Sequence, residues 1–264
     1  MKIKAISIAA FLIILSACTS EPAMTEQTDD GKVQSSNQET GNTLTENQEA
    51  AHERTLTPEE VIAETEKQLS TEVPIKMPDT LNVNQGYHLT AKTVSDRESY
   101  QVIFFQTEDV IPINNAKLDQ LSDNSILAVL SGQNFGNEAA SEQISYQNFE
   151  EIGGKPVDLG YSITGYQDAG AGSVYLSWNE GRWAFTSRAR TEDPENLLTD
   201  SKKIVEFLES STLPPPKMYG TGKFDTISEH SRDQFLVWQE ERTVYKIEKA
   251  EGALRTLEIA ASIK

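Results

Sequence analysis

Residues 173–186 constrain the fold more than any other stretch of the chain. Val174, Leu176 and Trp178 alternate with Ser173, Tyr175 and Ser177, and Trp183 and Phe185 alternate with Ala184 and Thr186. Asn179-Glu180-Gly181 stands between the two runs as the turn. Strand side chains point to opposite faces in turn, so this pattern predicts a half-buried antiparallel hairpin. A helix pattern follows it. Asp193-Pro194 reads as a cap followed by proline in the first turn. At about 100° per residue, Leu197, Leu198, Ile204, Val205 and Leu208 fall within an arc of about 120°, with Lys202, Lys203, Glu206 and Glu209 opposite. Hairpin followed by amphipathic helix implies the α+β class: an antiparallel sheet built from hairpins, with amphipathic helices packed on one face.

The rest of the region 56–264 repeats these two patterns. Thr57-Pro58-Glu59-Glu60 predicts a helix start, with Thr57 as N-cap, Pro58 at the first helical position and Glu60 completing a capping box. Leu56 and Val61 are spaced for a hydrophobic staple, and the helix is expected to reach about Leu69. Val73-Pro74 and Met77-Pro78 then require extended chain. Strands are predicted over Tyr87–Val94, Tyr100–Thr107, Ile126–Ser131 and Val157–Thr164. The consecutive Val102, Ile103, Phe104 and Phe105 predict burial on both faces. Asn137 is the expected cap of a short helix through Ile144, and Glu150-Glu151 reads as a solvated pair. A second hairpin is predicted from Phe235–Trp238 and Val244–Ile247, and a last, mostly buried helix over Ala253–Ile263. Leu213-Pro214-Pro215-Pro216 reads as a rigid connector. Trp178-Asn179-Glu180-Gly181-Arg182 is echoed sixty residues later by Trp238-Gln239-Glu240-Glu241-Arg242, so the domain has either two related halves or two hairpins with common turn chemistry.

The N-terminal region follows other rules. Lys2 and Lys4 precede a run from Ala5 to Leu15 that is apolar except for Ser7. A bilayer span needs roughly 20 apolar residues, so this run has the proportions of a secretory signal instead. Leu15-Ser16-Ala17-Cys18 resembles the lipobox of bacterial lipoproteins. The resemblance implies cleavage after Ala17 and a thioether-linked lipid on Cys18, the only cysteine in the chain. Residues 1–17 are then the signal peptide, 18–55 a lipidated cysteine with an acidic tether, and 56–264 the globular domain. Two acyl chains give stable anchoring where a single chain does not. The expected location is the extracytoplasmic face of the cell membrane. No disulfide is available, so the domain must rest on its core.

The tether is rich in Thr, Ser, Glu, Gln and Asn and has too little apolar surface to offset the entropy of ordering. Between Thr19 and Arg54 eight acidic residues face two basic ones, a balance of −6. Its reach is about 30–36 Å for roughly 36 residues. Over the whole chain 23 basic residues stand against 41 acidic ones, a net charge of −18. That balance argues against nucleic acid and anionic headgroups as partners.

At the C-terminus, Trp238, Tyr245-Lys246-Ile247 and Leu257-Glu258-Ile259-Ala260-Ala261-Ser262-Ile263 resemble the end of an uncharacterised domain of Gram-positive lipoproteins and of the extracytoplasmic regions of some anti-sigma factors. The anti-sigma proteins add a cytoplasmic module and a spanning helix. Neither pattern is read here, so the resemblance implies an extracytoplasmic domain and carries over no sigma regulation.

Reactive chemistry is sparse. His52, His88 and His230 lack ligand spacing to one another or to a cysteine, which argues against a His/Cys metal site. There is no His-Glu-x-x-His, Gly-x-Ser-x-Gly, Ser-x-x-Lys or Walker pattern. Two weak candidates remain. Gly170, Gly172 and Ser173 form a glycine-rich turn, structural or ligand-binding, and Arg188 and Arg190 share a strand face where they would grip an anion or pair with carboxylates. No cofactor is expected. The leading expectation is a non-enzymatic lipoprotein that binds an envelope protein or small ligand. The alternatives are a lipid or lipoprotein carrier with an apolar groove between sheet and helices, and a carboxylate-based wall hydrolase.

Overall fold

The computed structural model describes residues 55–135, 139–227 and 231–263. The signal, Cys18, the tether, Asn137 and His230 lie outside the described residues. What is described is a mixed α/β domain: one ten-stranded, mostly antiparallel sheet with five helices.

The first helix, α1 (Pro58–Lys67), begins as its residues dictate. Thr57 Oγ1 accepts the Glu60 N–H at 3.3 Å, and Glu60 Oε2 accepts the Thr57 N–H at 2.9 Å. Val61 and Ile62 are buried, whereas Leu56 stands 42% exposed and is a poor staple. Strands β1 (His88–Ser95) and β2 (Ser99–Thr107) form the expected hairpin, and β3 (Ile126–Asn134) adds to β2. In β2, Val102, Phe104 and Phe105 are buried, and Ile103 is half-buried. Two single-turn helices, α2 (Ala139–Glu142) and α3 (Phe149–Ile152), follow. Glu150 and Glu151 on α3 are exposed.

The next region corrects the sequence reading. The strand expected over residues 157–164 is broken at Leu159, giving β4 (Lys155–Asp158) and β5 (Thr164–Gly170). Gly160, Tyr161 and Ser162 all take positive φ there, a reversal that extended chain cannot make. The residues expected as loop after Thr164 are therefore strand. β6 (Ser173–Glu180) and β7 (Trp183–Arg190) turn at Gly181-Arg182, so Asn179 and Glu180, expected in the turn, are the end of the strand. Helix α4 (Pro194–Ser210) buries Leu197, Ile204 and Val205.

β8 (Gly220–Asp225), which has no counterpart among the expected strands, pairs parallel with β7. β9 (Phe235–Glu240), β10 (Thr243–Glu248) and α5 (Ala253–Ala261) complete the chain. The sheet runs β1-β2-β3-β10-β9-β8-β7-β6-β5-β4. Because β7 and β8 are the one parallel pair, α4 is a crossover between them, and β8-β9-β10-α5 repeats the order of β5-β6-β7-α4.

Helices α1, α4 and α5 pack against β1, β6–β7 and β9–β10 respectively. Between them and the sheet lies an aromatic ladder. Ring centroids stand 6.1 Å apart for Phe224–Phe185, 5.7 Å for Phe185–Trp183, 6.3 Å for Trp183–Trp238 and 5.4 Å for Trp238–Tyr245. Each such contact contributes about 0.5–1.5 kcal/mol beyond area burial. Flat rings on neighbouring strands demand small residues beside them. A Cβ on Gly220 would meet the Trp183 ring at 2.6 Å, and one on Gly222 would meet Phe185 at 2.7 Å and Leu236 at 2.8 Å. That explains how two glycines sit inside a central strand.

Candidate functional site

Alternation that places the ladder on one face of the sheet places a polar set on the other. Across β5 to β9 the register aligns Tyr166, Ser177, Thr186, Lys223 and Phe235 in one row. The next row aligns Asp168, Tyr175, Arg188 and Asp225. A segment of residues 139–152 crosses this face. Asn179 clamps it to the sheet, accepting the Phe149 N–H at 2.8 Å and donating to the Gln147 carbonyl at 2.9 Å. Tyr146 stacks on Tyr219 at 3.9 Å, and Ile144 packs with Val237 and Val244. Hence α3 lies on the face opposite the long helices, and helices are not confined to one side.

On one side of this segment is a cavity of about 570 Å³, lined by Phe149, Tyr166, Tyr175, Arg188, Lys223 and Phe235 among others. On the other is a cavity of about 320 Å³, lined by Ser131, Gln143, Lys246 and again Lys223 and Phe235. A smaller space of about 120 Å³, also edged by Lys223, lies between Phe149 and Thr186. Lys223 is common to all three, so they form one groove with that residue at its middle.

The cations in this groove differ in their partners. Arg188 lies 3.5 Å from Asp225 and donates from Nε to Ser173 Oγ at 3.0 Å. Lys246 is paired with Glu248. Lys223 Nζ lies 5.8 Å from the Phe235 ring centroid, Lys246 Nζ is 5.6 Å from the same ring, and no carboxylate among the described residues lies within 4.0 Å of Lys223. The arrangement suits recognition of a group with negative charge beside an aromatic or apolar surface. Asp168, Asp225 and Asp233 line the larger cavity as well. Asp225 is committed to structure: Oδ1 accepts the Ile227 N–H at 2.9 Å, and Oδ2 faces Arg188. Among the described residues no group of three or more His, Cys, Asp or Glu is placed to hold a metal ion.

The glycine-rich candidate is the β5–β6 hairpin turn. Ala171 and Gly172 both have positive φ, as a two-residue hairpin of the primed type requires, and nothing lies within 4 Å of a Cβ placed on Gly170 or Gly172. Ser173 is buried and holds Arg188. The two candidate sets therefore meet at one hydrogen bond, which orients the guanidinium toward the groove. Arg190 is exposed and outside the cavity lining. Lys223 is not singled out by the sequence because β8 is not among the expected strands, and Phe235, at the start of an expected strand, gains its meaning only from pairing beside Lys223. The available signal was the alternation of Gly220, Gly222 and Phe224 with Thr221, Lys223 and Asp225. No family model, no curated protein and no solved structure matches the chain.

Proposed function

We propose that this protein is a membrane-anchored, extracytoplasmic binding protein without catalytic activity. Lipid on Cys18 holds it at the membrane, the acidic segment to residue 55 is a spacer, and the domain binds a small anion-bearing ligand in the groove around Lys223. In this reading the hairpin-built sheet is a platform. The amphipathic helices stabilise one face, and the other face is left for the ligand. One observation carries it: a lysine with no carboxylate partner among the described residues, set against an aromatic ring in the middle of a groove, in a chain with 41 acidic and 23 basic residues. Acid-rich surroundings ordinarily pair such a cation, as they do Arg188 and Lys246.

The carrier reading is weaker. A lipid groove needs space along the length of the sheet–helix interface, and the middle of that interface is filled by Trp178, Trp238, Phe185 and Phe224, each at most 1% exposed, which leaves a cavity at the end of the β6–β7 hairpin. The deciding experiment titrates the natively purified chain with phenyl phosphate, followed by calorimetry and by backbone resonances of β8 and β9. Saturable binding that Lys223→Ala weakens ten-fold or more supports the proposal. Absence of saturation, or equal affinity in Lys223→Ala, refutes it.

A further inference from the structure

The two hairpins β6–β7 and β9–β10 correspond position by position with an offset of sixty residues. Trp178 corresponds to Trp238, Glu180 to Glu240, Arg182 to Arg242 and Phe185 to Tyr245. Gly181 and Glu241, at the first turn position of each, have φ of 55° and 50°. Each Trp lies opposite the aromatic of its partner strand, with centroids 5.5 Å apart for Trp178–Phe185 and 5.4 Å for Trp238–Tyr245. Each indole Nε1–H donates to the carboxylate two residues on, at 2.8 Å to Glu180 and 2.9 Å to Glu240.

The hairpins differ in what completes the carboxylate. At Glu240 the chain supplies its own cation. Lys76 Nζ lies 3.1 Å from Glu240 Oε2 and 6.0 Å from the Tyr245 ring centroid. The extended segment carrying Lys76 is fastened there by two phenols. Tyr245 donates to the Pro74 carbonyl at 2.9 Å, and Tyr100 accepts the Lys76 N–H at 2.9 Å. At Glu180 no described Lys or Arg nitrogen lies within 4.0 Å. A cavity of about 520 Å³ opens there instead, lined by Glu180, Trp183, Phe185, Leu208 and Pro215. Arg182 also lines it, but its guanidinium is engaged, donating to the Pro216 and Lys217 carbonyls at 2.9 Å. Glu209 of α4 is the other charge that acts on Glu180, and it is of the same sign.

We propose that this cavity binds a small molecule through a primary ammonium on an alkyl stem, paired with Glu180 and covered by the rings of Phe185 and Trp183. The bound group occupies the place that Lys76 holds on Glu240 and Tyr245 in the other hairpin. An ammonium supplies an opposite charge to a half-buried carboxylate whose one described donor is an indole, and the apolar walls displace part of the competing water. Burial already raises the Glu180 carboxyl to about 7, against the Trp178 hydrogen bond and with help from Glu209. A cation must therefore compete with a proton at and below neutrality.

The test uses n-butylammonium chloride as probe in amine-free phosphate buffer, read by calorimetry and by the indole N–H resonance of Trp178. Butan-1-ol is the uncharged control. Saturable binding is expected at pH 8, weakened ten-fold or more at pH 5.5 and in Glu180→Gln, with no binding of the alcohol. Glu180→Gln keeps an acceptor for Trp178, and thermal unfolding no lower than that of the parent shows that it folds. Failure to saturate, equal affinity in Glu180→Gln, or equal binding of the alcohol overturns the proposal. The site lies on the helical side of the sheet, so the Lys223→Ala variant should bind n-butylammonium unchanged; a loss there overturns its independence from the groove.

Discussion

Glu180→Gln is also a measurement of what the buried carboxyl costs the fold without ligand. The carboxyl is raised from 4.5 to about 7, chiefly by burial, with the Trp178 donor opposing and Glu209 adding to the rise. Its pKa is thus higher folded than unfolded, and folding takes up a proton between about pH 4.5 and 7. The contribution of the protonated group is fully present below about pH 4.5 and is lost as pH rises through about 7. Each pKa unit is worth about 1.4 kcal/mol, so the full shift corresponds to roughly 3.4 kcal/mol. The side chain keeps partial contact with water, and screening reduces this to about 1–2 kcal/mol. Glutamine is neutral at every pH and still accepts from the indole. It should therefore stabilise the domain by about 1–2 kcal/mol at pH 8 and by a few tenths at pH 5. In a domain of about 209 residues 1 kcal/mol moves Tm by about 2–4 °C. Urea unfolding of both proteins at the two pH values reads the difference directly, provided the m-values agree. A gain of equal size at both pH values, or a loss at pH 8, would refute the argument that an uncompensated carboxylate sits there.

Gly222→Ala would place a methyl 2.7 Å from Phe185 and 2.8 Å from Leu236, both fully buried, and should cost about 1–3 kcal/mol in urea unfolding. Thr57→Ala removes the acceptor for the Glu60 N–H and should cost about 1 kcal/mol by the same assay. Lys223→Ala, at an exposed position, should change stability by less than about 0.5 kcal/mol while weakening phenyl phosphate binding in titration. Cys18→Ala should move the protein from the membrane pellet to the soluble fraction in cell fractionation; unchanged sedimentation with the membrane would rule out the lipid anchor.

The legible parts of the fold were those whose physics is local. Thr57, Pro58 and Glu60 form a cap from neighbouring residues alone, and the structure shows both of its hydrogen bonds. The alternation from Val174 to Phe185 marked β6 and β7 because each strand has one apolar face. Where local signals misled, a neighbour in space had changed their meaning. Gly220 and Gly222 weaken a strand in isolation, yet here they are required by the rings of Trp183 and Phe185 lying over them. Gly165 to Gly170 read as part of a glycine-rich loop, yet pairing with β6 makes them strand and leaves only Ala171-Gly172 as the turn.

The same division holds for function. Sequence by itself determined the expected address, the absence of disulfide chemistry and the acidic balance, because these depend on composition and on short contiguous motifs. Only the tertiary structure decided which charges meet. Arg188 and Asp225 are 37 positions apart, Lys76 and Glu240 are 164 apart, and each pair is joined by the path of the strands rather than by spacing. Lys223 and Glu180 stand out for the complementary reason. That neither has an ion partner among the described residues becomes visible only in three dimensions, since the cost of a charge is set by its surroundings and not by its position in the chain.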